Sequence, residues 1–242
     1  MARLHPPIEK TFYTDEMINI YFISGIGGDR RLFKHIQLPA DFRIRYVDWI
    51  DPKKNETLPG YALRLAEQID TRQPFILAGV SMGGIIAVEI AKHFPPVATI
   101  LISSIPVSAQ LPRYYTVARF LRITTMLPAS FFKGTSVLKR LFTHEKEEDK
   151  KLIRQMIQDG DSWFIKWALD AVLDWRNEDI PQPLWHIHGS RDEVFPVRLT
   201  HPSHIIPKAG HMLIISHAAE INRIFREILP HYSPVFSASA TR

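Results

Sequence analysis

A serine flanked by glycines, at the junction between a strand pattern and a helix pattern, constrains this sequence more than any other feature. Residues 75–79 are a short apolar run typical of a buried strand, and an apolar run of helical length continues to residue 91. The junction reads G-x-S-x-G, with Ser81 between Gly79 and Gly83. A turn this sharp leaves no room for a Cβ two residues before or after the serine. The motif therefore predicts that Ser81 is held out at the carboxyl end of a sheet.

The motif by itself has two interpretations. The first is a plain Gly/Ser turn before a core helix. The second is a nucleophilic serine, which also needs a base, an acid and a second oxyanion donor elsewhere in the chain. Since the first turn of a helix leaves its amide protons unpaired, the Met82 N–H is the predicted first donor to a negatively charged substrate oxygen.

A glycine-rich loop follows an earlier strand pattern at residues 18–24, with glycines at positions 25, 27 and 28. A dinucleotide-binding loop of the form G-x-G-x-x-G would need glycine at position 30, which is occupied by Arg30. We therefore interpret the loop as the second oxyanion loop, with the Ile26 N–H as its donor.

The order of patterns along the chain predicts an α/β fold, a mostly parallel central sheet flanked by helices. Strand patterns occupy residues 18–24, 42–48, 75–79, 97–103, 184–189 and 204–207. Helix patterns occupy residues 61–69, the run up to residue 91, and 218–229. We assign residues 1–105 and 183–230 to this core, with room for one short strand near residues 11–13. The patternless residues 231–242 are predicted to form a disordered tail.

Residues 106–182 contain only helical patterns, at 114–127, 130–142, 145–159 and 162–175. Excursions from a parallel sheet emerge at its carboxyl edge, so we predict that this insertion is a helical cap over Ser81. Aromatic residues of the insertion are the predicted lining of the substrate pocket: Tyr114, Tyr115, Phe120, Trp163 and Trp167.

Composition limits the remaining possibilities. With 242 residues, 45% hydrophobic and 23% charged, the chain has ordinary globular values and a length that fits one catalytic core plus an insertion. The absence of cysteine excludes disulfides, thiolate nucleophiles and cysteine-based zinc sites. The net charge is +5, but the lysines and arginines are mostly interspersed with acidic residues along the chain. We therefore expect no nucleic-acid partner. Without a signal-like or bilayer-length apolar run, we expect a cytoplasmic protein with no stable membrane insertion.

The acid and the base that a nucleophilic serine needs can both be found after the insertion. Asp192 and its neighbour Glu193 come directly after the strand pattern 184–189, and His211 follows the last strand pattern. His204 and His217 are the rival histidines, one in a predicted strand and one at the start of the last helix. His186 and His188 could form a metal pair on one strand face, but no third ligand has suitable spacing. We therefore predict neither a metal nor a cofactor.

In its order of serine, acid and histidine, the chain resembles the α/β-hydrolase superfamily from residue 18 to residue 229. The resemblance is carried by G-x-S-x-G-G around Ser81, by H-G-S-R-D ending at Asp192, and by Gly-His at His211. It implies that Ser81 is the nucleophile, that His211 is the base and that Asp192, rather than Glu193, is the acid. The sequence departs from the family where the usual His-Gly of the oxyanion loop is Ser24-Gly25.

The function that the resemblance implies is hydrolysis of a carboxylic ester or thioester of a small, largely apolar substrate, through an acyl-enzyme. Amide or carbon–carbon bond hydrolysis with the same triad is the alternative. A ligand-binding receptor or scaffold without catalysis is the alternative of another class, because fold does not fix function.

Between residues 106 and 142 the chain has six basic residues and no acidic one, which also has two interpretations. The basic side chains either face water on amphipathic helices or include arginines at the mouth of the pocket that favour an anionic substrate. The six are Arg113, Arg119, Arg122, Lys133, Lys139 and Arg140.

Overall fold

A computed structural model describes residues 17–120 and 147–233 of the chain. Its strands are β1 (Ile18–Ile23), β2 (Phe42–Val47), β3 (Phe75–Val80), β4 (Ala98–Ile102), β5 (Leu184–Gly189) and β6 (His204–Ile206). Its α-helices are α1 (Leu58–Leu65), α2 (Met82–Ala91), α3 (Arg113–Phe120), α4 (Glu147–Asp159), α5 (Ser162–Asp174), α6 (Leu213–Ser216) and α7 (Ala218–Ile228). The predicted short strand near residues 11–13 lies outside the described residues.

The six strands form one sheet in the order β2-β1-β3-β4-β5-β6, and every neighbouring pair is parallel. The central strands β3 and β4 are buried along their whole length, as expected of continuous apolar runs covered by helices on both faces. The predicted α/β class with a mostly parallel, helix-flanked sheet is therefore confirmed. Because all strands are parallel, the loops after β1, β3, β5 and β6 meet at one edge of the sheet.

Burial explains the sequence pattern of α2, and capping explains where α1 begins. Every residue of α2 is buried, which accounts for a helix that is apolar all round. Helix α1 begins at Leu58, three residues before its predicted start, although Pro59 and Gly60 read as breakers. The reason is capping, since the Thr57 side chain accepts a hydrogen bond from the Gly60 N–H and proline is tolerated in the first helical turn.

Helices α3, α4 and α5 belong to the insertion between β4 and β5, and the described parts of that insertion contain no strand. The two ends of the insertion are joined, because Asn177 donates from Nδ2 to the Pro106 carbonyl at 2.7 Å. The Ser108 N–H donates in turn to the Asn177 carbonyl at 2.9 Å. The predicted helix at 130–142 lies outside the described residues, as do parts of the predicted helices at 114–127 and 145–159.

The end of the chain corrects one prediction. Residues 231–233, assigned from the sequence to a disordered tail, are held on the core. The Tyr232 hydroxyl accepts a hydrogen bond from Trp185 Nε1 at 2.8 Å, and the Ser233 hydroxyl donates to Asp41 at 2.5 Å. The local sequence of the tail could not predict these contacts, because Trp185 and Asp41 are distant from it in sequence. Residues 234–242 lie outside the described residues.

None of the helices in the described ranges is both long and apolar enough to cross a bilayer.

Candidate active site

Ser81 lies between β3 and α2 in a strained backbone conformation. Its φ of 53° and ψ of −122° are sparsely populated for a residue with a Cβ. Two hydrogen bonds hold the turn against β4. The Ser81 N–H donates to the Ile102 carbonyl at 3.0 Å, and the Ser104 hydroxyl donates to the Ser81 carbonyl at 2.6 Å. The strain is thus maintained by the neighbouring strand.

Glycine is required on both sides of this turn because backbone lies where a side chain would begin. A Cβ on Gly79 would lie 2.2 Å from the Gly83 carbonyl oxygen. A Cβ on Gly83 would lie 2.2 Å from the Ile23 carbonyl oxygen of β1. The spacing of the motif therefore reflects close packing between β1, β3 and the start of α2.

The fold brings Ser81, His211 and Asp192 into one hydrogen-bonded chain. His211 Nε2 lies 3.0 Å from the Ser81 hydroxyl oxygen, and His211 Nδ1 lies 2.9 Å from Asp192 Oδ2. The carboxylate accepts from the Nδ1–H, so the neutral imidazole carries its lone pair on Nε2 and can accept the serine proton. Chemically, this arrangement can remove a proton from a hydroxyl and return it to a leaving group.

The Asp192 side chain is buried, and the loop that carries it satisfies one of its two oxygens. Asp192 Oδ1 accepts the N–H groups of Val194 and Phe195 at 2.8 and 2.9 Å. Burial pushes the pKa of Asp192 upward, but the charge and hydrogen bond of His211, followed by His188 and the Phe195 amide, outweigh it. The pKa of Asp192 is therefore below its ordinary value, and the group is a carboxylate at neutral pH.

Adjacent Glu193 has a different place from Asp192. It is exposed, and its backbone carbonyl accepts a hydrogen bond from the Tyr114 hydroxyl at 3.2 Å. The rival histidines are also placed elsewhere, since His204 Nδ1 contacts the Ser203 hydroxyl and His217 Nδ1 contacts the Ser216 hydroxyl. Among these alternatives, only Asp192 and His211 are brought to the serine.

The glycine loop after β1 packs directly on the serine. A Cβ on Gly25 would lie 3.1 Å from the Ser81 Cβ. Ser24, which replaces the usual histidine, closes the loop by donating from its hydroxyl to the Gly28 carbonyl at 2.9 Å. Neither the Ile26 N–H nor the Met82 N–H donates to an acceptor within residues 17–120 and 147–233. Their role as oxyanion donors stays a prediction.

The insertion contacts both loops of this site. Gly27, with a φ of 70°, packs against Ile157 of α4, and Arg31 bridges Asp29 of the glycine loop to Asp159 of the same helix. The two guanidinium contacts measure 2.6 and 2.7 Å. Helix α4 is thereby fixed beside the predicted oxyanion loop.

Helix α3 contacts the acid loop through two of the predicted pocket residues. The Tyr114 hydroxyl donates to the Glu193 carbonyl, and the Tyr115 hydroxyl lies 3.4 Å from the Val194 carbonyl oxygen. The Tyr115 ring also meets the edge of Phe195, which in turn contacts the His211 ring at a centroid distance of 5.7 Å. Tyr115 therefore lies two contacts from His211, and Tyr114 packs on Tyr115 at a centroid distance of 4.7 Å.

The other predicted pocket residues occupy different surroundings. Trp167 packs on Tyr61 at a centroid distance of 4.4 Å and donates from Nε1 to the Glu56 carbonyl, which anchors α5 on the core. Trp163 is 70% exposed and Phe120 is 85% exposed. A pocket role for these three residues stays a prediction. The lysines and arginines of residues 121–146 lie outside the described residues.

Three residues near the site, His186, His188 and Ser104, were given no functional role at the level of sequence. His186 and His188, considered there as a metal pair, are both buried, and His188 Nε2 lies 3.3 Å from Asp192 Oδ2. Across the two described ranges, no group of three or more histidine or acidic side chains is arranged to hold a metal ion. Ser104, which supports the serine turn, had only one sequence signal, its position at the end of a strand pattern that lacks a carboxylate.

A family model described as the alpha/beta hydrolase family matches residues 20–224. The chain belongs to the α/β hydrolase family. No curated protein sequence gives a significant match.

Solved structures agree with this α/β hydrolase fold. A thermophilic esterase from Thermogutta terrifontis is 19% identical, with a TM-score of 0.71 over 91% of this chain and 92% of its own. MenH from S. aureus is 17% identical, with a TM-score of 0.69 over 90% and 95% of the two chains. A putative non-heme bromoperoxidase, BpoC from Mycobacterium tuberculosis, is 19% identical, with a TM-score of 0.66 over 96% and 99%. Because several activities share the fold, these similarities establish architecture and not substrate.

Proposed function

We propose that this α/β hydrolase is a serine hydrolase that cleaves a carboxylic ester or thioester of a small, largely apolar substrate through an acyl-enzyme. The observation that carries the proposal is the chain of hydrogen bonds from Ser81 through His211 to Asp192 at 3.0 and 2.9 Å. Membership of the family and the presence of esterases among similar folds support a hydrolase.

In the proposed first half-reaction, the Ser81 oxygen attacks the substrate carbonyl carbon while its proton passes to His211 Nε2. The carbonyl double bond opens to an oxyanion, which the Met82 and Ile26 N–H groups stabilise. Asp192 holds the tautomer of His211 and stabilises the imidazolium. The carbon–oxygen or carbon–sulfur bond then breaks, and the leaving group takes the proton from Nε2.

In the second half-reaction, water replaces the leaving group. The water oxygen attacks the acyl carbon while His211 takes a proton from the water. His211 then returns this proton to the Ser81 oxygen when the acyl group leaves as a carboxylic acid. Residues 106–182 would act as the cap that selects the acyl chain, with Tyr114 and Tyr115 nearest to the acid loop. A cytoplasmic location stays a prediction.

The test is covalent labelling with an alkyl fluorophosphonate, followed by peptide mass spectrometry and a panel of acyl esters and thioesters. The phosphonyl group is expected on Ser81, and Ser81→Ala should lower kcat about a million-fold. Asp192→Asn should cost about ten thousand-fold because the tautomer of the base is lost, whereas Glu193→Gln should change kcat by less than about tenfold.

The controls separate catalysis from binding. All three variants should keep the wild-type thermal unfolding profile, so that lost activity is not lost fold. A protein that remains unlabelled at Ser81 and inert on every ester, while binding apolar ligands, would instead be a receptor or scaffold. A larger loss from Glu193→Gln than from Asp192→Asn would transfer the acid role to Glu193.

A further inference from the structure

Two buried histidines lie directly behind the acid, and the proposed mechanism uses neither. His186 and His188 are two residues apart on β5, so their side chains share one face of the sheet. Their rings are 5.0 Å apart and nearly perpendicular, with His186 Nε2 at 3.0 Å from His188 Nδ1. His188 Nε2 lies 2.7 Å from the Phe195 carbonyl oxygen and 3.3 Å from Asp192 Oδ2.

These contacts determine the position of each proton. A carbonyl oxygen only accepts hydrogen bonds, so His188 must carry its proton on Nε2. Neutral His188 then has a lone pair on Nδ1, and we place the single proton of neutral His186 on the facing Nε2, in preference to the Ser104 backbone that also contacts this ring. Burial lowers the pKa of both imidazoles, that of His186 to about 3, so the pair is neutral at pH 7. Two neutral rings therefore donate in one direction, toward the acid loop.

The hydrogen bond from His188 is accepted by Phe195, in the loop that carries the acid. Phe195 is held at both ends, since its N–H donates to Asp192 Oδ1 while its carbonyl accepts from His188. Asp192 Oδ2 lies between two imidazoles, with His211 at 2.9 Å on the side of the serine and His188 at 3.3 Å behind. His188 thus contacts both the carboxylate and the loop that carries it.

We propose that His188, oriented by His186, is a positioning residue that fixes the Asp192 carboxylate and weakens its hold on the His211 imidazolium. The inference rests on the proposed function, because it assigns His188 to the same acid and base. It extends that function by adding two residues that touch neither substrate nor serine. In this proposal the two histidines form an ordered chain of hydrogen bonds and do not act as a metal pair.

The expected effect on pH dependence follows from the charged groups that surround His188. The titratable groups facing it are His186 on its own strand, Asp192 on the next loop and His211 from the loop after β6, while His201 faces His186. The Nε2–H of His188 lies 3.3 Å from Asp192 Oδ2, and without its partial positive charge the carboxylate would interact more strongly with its remaining partner, the imidazolium of His211. The base would then release its proton only at a higher pH.

The experiment measures the rate of Ser81 labelling by an alkyl fluorophosphonate between pH 5 and 9, which needs no knowledge of the substrate. In this reaction the serine oxygen displaces fluoride from phosphorus and His211 takes the serine proton. His188→Leu removes the donor, whereas His188→Gln places a side-chain N–H near the position of Nε2. His186→Leu and His186→Gln form the matched pair for the second ring.

For His188→Leu we expect the midpoint of the acid limb to move up by about one pH unit, with labelling at pH 6 falling about tenfold. His188→Gln should stay within about twofold of the wild type, and the His186 pair should show the same order with smaller changes. A merely structural histidine would lower the whole profile without moving its midpoint. An unmoved midpoint in folded His188→Leu would overturn the proposal.

A second measurement on the wild type covers the case in which His188→Leu does not fold. Imidazole nitrogen NMR of the full-length protein at pH 7 should show His186 and His188 as neutral Nε2–H tautomers. Detection of His188 as the Nδ1–H tautomer would contradict the inference by itself. Failure of the proposed function would look different, since Ser81 would then remain unlabelled in the wild type.

Discussion

At the scale of single residues, glycines decide whether the serine turn can form. The Cβ that Gly83→Ala adds would meet the carbonyl oxygens of Ile23 and Ser24, at the end of β1, at 2.2 and 2.3 Å, and the backbone of a strand paired on both sides cannot easily move aside. We expect this substitution to lower the free energy of unfolding by about 3 kcal/mol or more. The measurement is urea unfolding followed by circular dichroism. Gly60→Ala is the matched control, because its new Cβ would lie 3.4 Å from the nearest atom and alanine favours a helix. Its expected change is below about 1 kcal/mol, toward greater stability. Equal losses in both variants would mean that the close approach at Gly83 is not what requires glycine.

At the scale of elements, the insertion is anchored on the core by one face of α5. Trp167 packs on Tyr61 and donates to the Glu56 carbonyl at 3.0 Å, whereas Trp163 on the same helix is largely exposed. Trp167→Phe keeps an aromatic ring but leaves that carbonyl without its donor, so we expect a loss of about 1–2 kcal/mol in unfolding free energy. Trp163→Phe should stay within about 0.5 kcal/mol, as surface substitutions do. Chemical denaturation of both variants, followed by circular dichroism, makes the comparison. A greater loss for Trp163→Phe would show that the exposed face, rather than the Tyr61 face, supports the helix.

At the scale of the whole molecule, the buried histidines couple folding to pH. The pKa of His186 falls from 6.5 to about 3 on folding, so between these values the unfolded chain binds a proton that the folded chain does not. The resulting penalty is absent above about pH 6.5 and grows as pH falls, by about 1.4 kcal/mol per pH unit for one such histidine. The lowered pKa of Asp192 stabilises the fold at every pH above its ordinary value of 3.8. This stabilisation is lost only as the pH falls below that value, outside this window. We therefore expect the unfolding free energy to decrease steadily from pH 6.5 to 4.5, measured by urea titration at several pH values. His186→Gln should reduce the slope. An unchanged slope in that variant would show that His186 is not the source of the acid sensitivity.

Much of this protein could be predicted from its sequence because the deciding signals are local. Continuous apolar runs indicate buried parallel strands, and a serine between two glycines at a strand-to-helix junction indicates one type of turn. The sheet and the turn at Ser81 follow from such signals, whereas Asp192 and His211 were chosen through the resemblance to the α/β-hydrolase superfamily. The errors at Leu58 and at residues 231–233 arose where a cap or a distant side chain outweighed the local pattern.

What only the tertiary structure decided are the relations between residues that are far apart in sequence. Ser81 and His211 are separated by 130 positions, and their 3.0 Å contact exists because parallel strands end at one edge of the sheet. Sequence alone places His186 and His188 on one strand face and gives them no role, since spacing does not show which groups they contact. Their partners come from a loop that folds back over the strand. Hydrogen-bond direction depends on those partners, and so the role inferred for the two histidines depends on packing.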